Sequence, residues 1–262
     1  MHHQTSATPA TAAHAPTVRM RRVEGLGVID ATIGNQKFGA VLDTGTHNLI
    51  DAELAGAAGD SGVRLGLSGG AVSAAAHRFG KWHRDHGLRL RIAPQQLATA
   101  GHMVIVDFPR GVVELLRKAD AERLTAGAGR VPSAQIERCP GKDRRFVVAA
   151  KMDGIVARLL VDTGSKETLL DAQSEPAKAL RSKKEVLGMA QRQGRDSPTN
   201  VEVLKGEVAF ELGPLGGAYS PLLEQEFASR GGCAYDGVLG LDMLQHCVLA
   251  MDADVLQMRC KG

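Results

Sequence analysis

Apolar positions in this chain fall in short runs, several of which alternate with polar residues, as strands do and long helices do not. Residues 157–161, Ala-Arg-Leu-Leu-Val, are apolar but for one position and end on Asp162. Such a run predicts a buried strand. It breaks at once at Thr163-Gly164. Ionised carboxylates are rarely buried alone, so Asp162 is either paired or held at the edge of the interior for chemistry.

The pattern occurs twice. Residues 28–45 read VIDATIGNQKFGAVLDTG and residues 147–164 read VVAAKMDGIVARLLVDTG, aligned without a gap. In each copy a β-rich run meets a turn, Gly34-Asn35 or Asp153-Gly154, and a second apolar run ends in Asp-Thr-Gly. Those turn pairs favour positive φ and predict tight hairpins. The likeness continues through DTGTHNLIDA and DTGSKETLLDA, then through Leu-Gly turns expected at Leu65-Gly66 and Leu187-Gly188. Alternating segments follow: GLRLRIA and HMVIVDF in the first copy, GEVAFEL and AYSPLL in the second. The second copy closes with a short helix expected near residues 241–246 and a hairpin turning at Asp252-Ala253-Asp254. At average residue usage, two such triplets arise by chance in under about one chain in several hundred.

Two copies with one carboxylate each make a pseudo-two-fold pair in which Asp43 and Asp162 face each other. Carboxylates in contact share a proton and titrate as a unit. One can act as general base on a water while the other, protonated, hydrogen-bonds a carbonyl under attack. Thr44 and Thr163 are expected to bond across the pseudo-axis. Gly45 and Gly164 let the backbone approach the carboxylates, and Thr46 and Ser165 are expected to set a hydroxyl beside each outer oxygen.

Composition narrows the alternatives. With 32 basic and 29 acidic residues and 3% aromatics, neither a nucleic-acid partner nor a base-stacking surface is indicated. No apolar segment reaches the ~18 residues of a membrane span. The opening MHHQTSATPATAAHAPT is rich in Ala, Thr and Pro, which predicts a flexible tail over residues 1–19. Cys139, Cys233, Cys247 and Cys260 lack metal-type spacing and fit either disulfides or buried thiols. His77, His83, Asp85 and His86 form the richest ligand-like cluster, and a solvated loop is its simpler reading. No phosphate loop or nucleophile elbow occurs.

VLDTGT, LVDTGS and GVLGLDML at 237–244 resemble the aspartic proteases, and bacterial retropepsin-like proteins more closely than pepsin. The resemblance covers most of residues 25–260. It implies a mainly β fold: two pseudo-symmetric acid-protease β-barrel lobes in one chain, over 20–138 and 139–262, with a cleft between them. It further implies an aspartic endopeptidase using Asp43 and Asp162, acting as a monomer on an extended peptide or protein, with no metal or other cofactor. Bacterial relatives are often exported, so the compartment implied is periplasmic or secreted.

The first copy departs from this pattern. Val112-Val113-Glu114 is matched to Val238-Leu239-Gly240, placing a glutamate where the family has glycine, and the following helical stretch suggests that the lobe lost its final strands. A flap is expected in residues 66–82, with Gly69-Gly70 at its tip. Phe79 or Trp82 would stand in for the tyrosine of pepsin-like flaps, and a second flap is expected at 188–200. The rival reading is a duplicated peptide-binding module without catalysis.

Overall fold

The structure is a computed structural model; it describes residues 16–58, 62–67, 70–141, 144–193, 198–225 and 232–261. In the first half β1 (Thr17–Arg19), β2 (Arg21–Val23), β3 (Leu26–Ile33) and β4 (Gln36–Leu42) lead to Asp43. Next come β5 (Leu49–Asp51), α1 (Ala52–Ala58), β6 (Ala75–His77), α2 (Lys81–Asp85) and β7 (Leu88–Ile92). Strands β8 (His102–Asp107) and β9 (Val112–Arg117) close the half.

Helix α3 (Lys118–Thr125) and β10 (Ile136–Arg138) lead to the second half, where β11 (Phe146–Met152) and β12 (Ile155–Val161) reach Asp162. Then follow β13 (Leu169–Asp171), α4 (Glu175–Arg181), β14 (Val186–Gln193) and β15 (Pro198–Leu204). The chain continues through β16 (Val208–Leu212), β17 (Leu215–Tyr219), β18 (Leu222–Glu224) and β19 (Gly237–Leu239). Helix α5 (Leu241–Leu244), β20 (Cys247–Met251) and β21 (Leu256–Cys260) complete it.

The duplication is exact in register. Strands β3 and β4 pair from Val28–Val41 to Ile33–Gln36, and β11 and β12 pair from Val147–Leu160 to Met152–Ile155. The second hairpin turns through Asp153 and Gly154 at φ 48° and 78°, the left-handed pair that suits strand twist. In each half a later strand then inserts parallel to the Asp-bearing one: β7 beside β4, and β19 beside β12. Strands β5 and β13 flank those inserted strands antiparallel.

This topology corrects the first-copy alignment. By register Leu42 faces Ile92 as Val161 faces Leu239, so Arg91-Ile92-Ala93 is the true counterpart of Val238-Leu239-Gly240. Glu114 lies in β9 instead, opposite Thr17 of β1, and meets the Thr17 hydroxyl at 3.2 Å and Arg110 at 3.5 Å. The first half has not lost its final strands either. Strands β8 and β9 enter a shared sheet ordered β1-β9-β8-β20-β21, in which β8 and β20 pair antiparallel and join the halves. Leu115 to Arg117 are strand, and helix begins only at Lys118. Strand β1 uses Thr17–Arg19, which composition assigned to the tail. The remaining sheets are open-ended, so the lobes are folded sheets and not closed barrels.

One apolar cluster runs through both halves, with Leu42, Ile92, Val161, Leu239 and Leu249 all buried within it. Each buried aliphatic side chain contributes roughly 1.5–3 kcal/mol, which is how a core poor in aromatics holds. Both cysteine alternatives resolve to disulfides. Cys139–Cys233 closes a loop across the second half, and Cys247–Cys260 bridges facing residues of β20 and β21. No helix among the described residues is long and apolar enough to cross a membrane.

The turn between β20 and β21 carries an acid-sensitive cap. Asp252 accepts from the Asp254 and Val255 N–H groups, each at 2.8 Å, and from Lys118 at 3.2 Å. Burial raises its carboxyl, but those donors together bring it below the ordinary 3.8. A lowered folded value gives stability that is present above the unfolded value and lost as pH falls through the folded one. Asp252→Ala should therefore lower Tm at neutral pH, with the deficit shrinking below about pH 4. A deficit that stayed constant in acid, measured by thermal melts across pH, would contradict this.

Candidate active site

Strands β4 and β12 end side by side because β7 and β19 anchor the residue after each. The Asp43 N–H bonds the Ile92 carbonyl at 2.8 Å and the Asp162 N–H bonds Leu239 at 3.0 Å. Each chain then turns so tightly that Gly45 N–H donates to Asp43 Oδ1 at 3.0 Å and Gly164 N–H donates to Asp162 Oδ1 at 2.9 Å.

The threonines lock the two turns together. Thr44 Oγ1 donates to the Val161 carbonyl at 2.6 Å and accepts from Thr163 N–H at 3.1 Å. Thr163 Oγ1 donates to the Leu42 carbonyl at 2.8 Å and accepts from Thr44 N–H at 3.1 Å. Four buried bonds cross the pseudo-axis, as expected for Thr44 and Thr163.

The glycines report how close each carboxylate comes to the opposite turn. A Cβ on Gly45 would lie 2.5 Å from Asp162 Cγ, and one on Gly164 would lie 2.4 Å from Asp43 Cγ. Each carboxylate thus rests against the backbone of the opposite turn, in the space a side chain would fill. Only glycine permits this approach.

Among solved structures, the aspartic proteinase from Irpex lacteus superposes with a TM-score of 0.51, covering 95% of this chain and 98% of that one at 12% identity. The fold is that of an aspartic proteinase. No protein-family model and no curated protein matches the chain by sequence.

Around this aspartic proteinase frame the two turns are braced differently. In the second half Thr168 Oγ1 accepts from Gly240 N–H at 2.9 Å and donates to Asp242 Oδ1 at 2.6 Å. The buried Tyr219 hydroxyl donates to the Thr168 carbonyl. Burial raises the carboxyl of Asp242 and the phenol of Tyr219. In the first half Asn48 Oδ1 accepts from Ala93 N–H at 2.9 Å, and Gln95 Nε2 donates to the Thr44 carbonyl at 3.0 Å.

The outer hydroxyl of the second half differs from expectation. Ser165 Oγ gives its hydrogen to the Glu167 carbonyl at 2.8 Å and accepts from Arg192 Nη2 at 3.3 Å, so it is not aimed at Asp162. Thr46 is buried. At Asp43 a different donor holds Oδ2: Arg91 Nη1, at 2.9 Å, an ion pair with side chains 5% and 1% exposed.

The flap residues are also reassigned. Phe79 is buried against His77, His83 and the Arg91 guanidinium, so it is core and not flap. Trp82 sits on α2 with Lys166 of the other half 4.8 Å from its ring. Gly70 is exposed in a bend, and Gly69 lies outside the described residues. Strands β14 and β15 pair antiparallel on the stretch expected to form a second flap, of which residues 194–197 lie outside the described residues. Leu187-Gly188 is no turn there but a register shift inside β14, and Leu187 and Met189 are exposed. Arg192, on the same strand, reaches Ser165, Glu167 and Glu224.

The histidines disperse: His83 is buried beside Arg91, and His86 turns to the Trp82 carbonyl. Among the described residues no group of three or more His, Cys, Asp or Glu is placed to hold a metal. Arg91, Gln95, Asn48 and Thr168 escape the sequence reading, and His83, expected in a solvated loop, is buried. For Arg91 the available signal was the run Leu88, Leu90, Ile92 leading into Ala93, which parallels Val238-Leu239-Gly240.

Proposed function

We propose that the chain is an aspartic-type endopeptidase, with Asp43 and Asp162 as its catalytic pair. The observation that carries this reading is the seating of each carboxylate against the glycine of the opposite turn, across reciprocal threonine bonds. A water between the carboxylates loses a proton to the anionic one and attacks the peptide carbonyl, while the protonated one hydrogen-bonds the carbonyl oxygen. Collapse of the tetrahedral species then returns a proton to the departing nitrogen, and the pair is reset. A peptide lying extended between the halves would gain main-chain bonds from strand edges such as β14. The two disulfides support work in an oxidising compartment, periplasmic or extracellular.

The Arg91–Asp43 ion pair favours a second reading, a peptide-binding module without catalysis, because it occupies one oxygen of the pair. Cleavage of a diverse peptide pool from about pH 3 to about pH 8, read by mass spectrometry, separates the two. Wild type should cut, and Asp43→Asn and Asp162→Asn should each lose about 10³-fold or more. A folded wild type that cuts nothing anywhere in that range would establish the second reading.

A further inference from the structure

We propose that Lys166 and Trp82 form a charge-selective subsite, at which the chain takes an acidic side chain of its peptide substrate. This rests on the endopeptidase reading and deepens it, by naming the class of peptide that the site prefers.

The two side chains come from opposite halves. Lys166 follows Ser165 directly, on the turn that carries Asp162. Its backbone is fixed there, because the Lys166 carbonyl accepts from Asp242 N–H at 2.9 Å. Trp82 stands on α2, where its neighbour His83 is buried against Arg91, the partner of Asp43. The Lys166 amine lies 4.8 Å from the centre of the Trp82 ring. The turn between β2 and β3 approaches the lysine stem as well, since a Cβ on Gly25 would lie 3.9 Å from Lys166 Cδ. Reciprocal threonine bonds and the pairing of β8 with β20 close the floor of the seam between the halves. Lys166 and Trp82 are only half-buried, so they meet on its open side, where an extended peptide would lie.

The chemistry of the amine sets the ligand. An ammonium has three donors and no acceptor, and the face of a tryptophan ring attracts it without consuming them. The neighbouring carboxylate, Glu167, is held by Arg192 at 3.2 Å. Among the described residues no carboxylate stands at ion-pair distance from Lys166. The subsite therefore offers a positive charge beside a flat apolar wall. Glutamate and aspartate match both, with methylenes on the ring and the carboxylate on the amine. A lysine or arginine in the same place would meet like charge and be turned away. A charge-assisted bond sheltered by the ring should give about a tenfold preference.

The test compares two synthetic peptide pools, acetylated and amidated so that only side chains carry charge. One contains Glu and Asp but no Lys or Arg, and the other the reverse. Wild type should cleave the acidic pool with about tenfold higher kcat/KM, and mass spectrometry should place Glu or Asp at one fixed position from the cut. Lys166→Met keeps the stem but removes the charge, so it should cleave both pools alike. Lys166→Arg should keep the preference and Lys166→Glu should invert it. A wild type that cuts both pools equally, or a folded Lys166→Met with the wild-type preference, would overturn the proposal.

A second readout needs no cleavage. Trp82 is the only tryptophan in the chain, so its fluorescence reports this site. Titrated into Asp162→Asn protein, which should leave the peptides intact, the acidic pool should shift the emission at about tenfold lower concentration than the basic pool. Adding Lys166→Met should erase that difference. Equal curves for the two pools before that change would overturn the proposal. A wild type that cleaves nothing would instead sink the endopeptidase reading, and the fluorescence titration alone would then decide this one.

Discussion

Gly164→Ala should cost the proposed endopeptidase about 100-fold or more in peptide cleavage and lower its stability by roughly 1–3 kcal/mol, with neither Asp43 nor Asp162 altered. The added Cβ would stand 2.4 Å from Asp43 Cγ and 2.6 Å from its Oδ2. A side-chain end that near could normally swing aside. Asp43 is held on both oxygens, by Gly45 N–H and by Arg91, so moving it breaks a buried ion pair. The cheaper response is for the two turns to part, and a separation near 1 Å suffices to misplace a shared water. Thermal melts and peptide cleavage on the same preparation check both halves of the expectation. A variant with wild-type rates would mean that Asp43 is not held against Gly164.

Thr163→Val should destabilise the chain by roughly 2–5 kcal/mol, while Thr163→Ser recovers most of that. The side chain is fully buried and serves two backbone groups, accepting from Thr44 N–H and donating to the Leu42 carbonyl. Valine matches threonine in shape but not in chemistry, so both groups would remain in place without partners or water. Each buried orphan costs about 1–3 kcal/mol, far more than the net gain of a satisfied bond. Denaturant unfolding of the two variants would measure the difference. Equal stability of Thr163→Val and wild type would show that solvent enters between the turns.

The fold and the centre of the site were legible because they rest on local pattern. Hairpins β3–β4 and β11–β12 are written in alternation and in turn residues, and the two triplets are contiguous and identical. What could not be read depends on which strand lands beside which. The inserted strand of the first half was placed at Val112, but β7 takes that position because Leu88, Leu90 and Ile92 supply the buried face. Arg91 alternates out of that face, and in sequence such a residue reads as solvated. Only the tertiary fold turns its far side toward Asp43. Phe79 failed for a related reason: an aromatic beside Gly-rich sequence looks like a loop anchor until His83 and Arg91 are seen to pack on it.

The difference between Arg91 and Val238 also bears on why both copies travel on one chain. In a symmetric dimer of identical subunits every substitution is made twice, once on each side of the axis. An arginine at this position would then stand on both sides, and neither half could carry the ion pair alone. Here the second half begins only 119 residues after the first, and each half is free to change alone. Strand β20 pairs with β8 and preserves the axis, while single residues on either side of it drift apart. Fusion thus relieves the pair of enforced equality, and the chain holds a heterodimer's freedom at the fixed stoichiometry of one polypeptide.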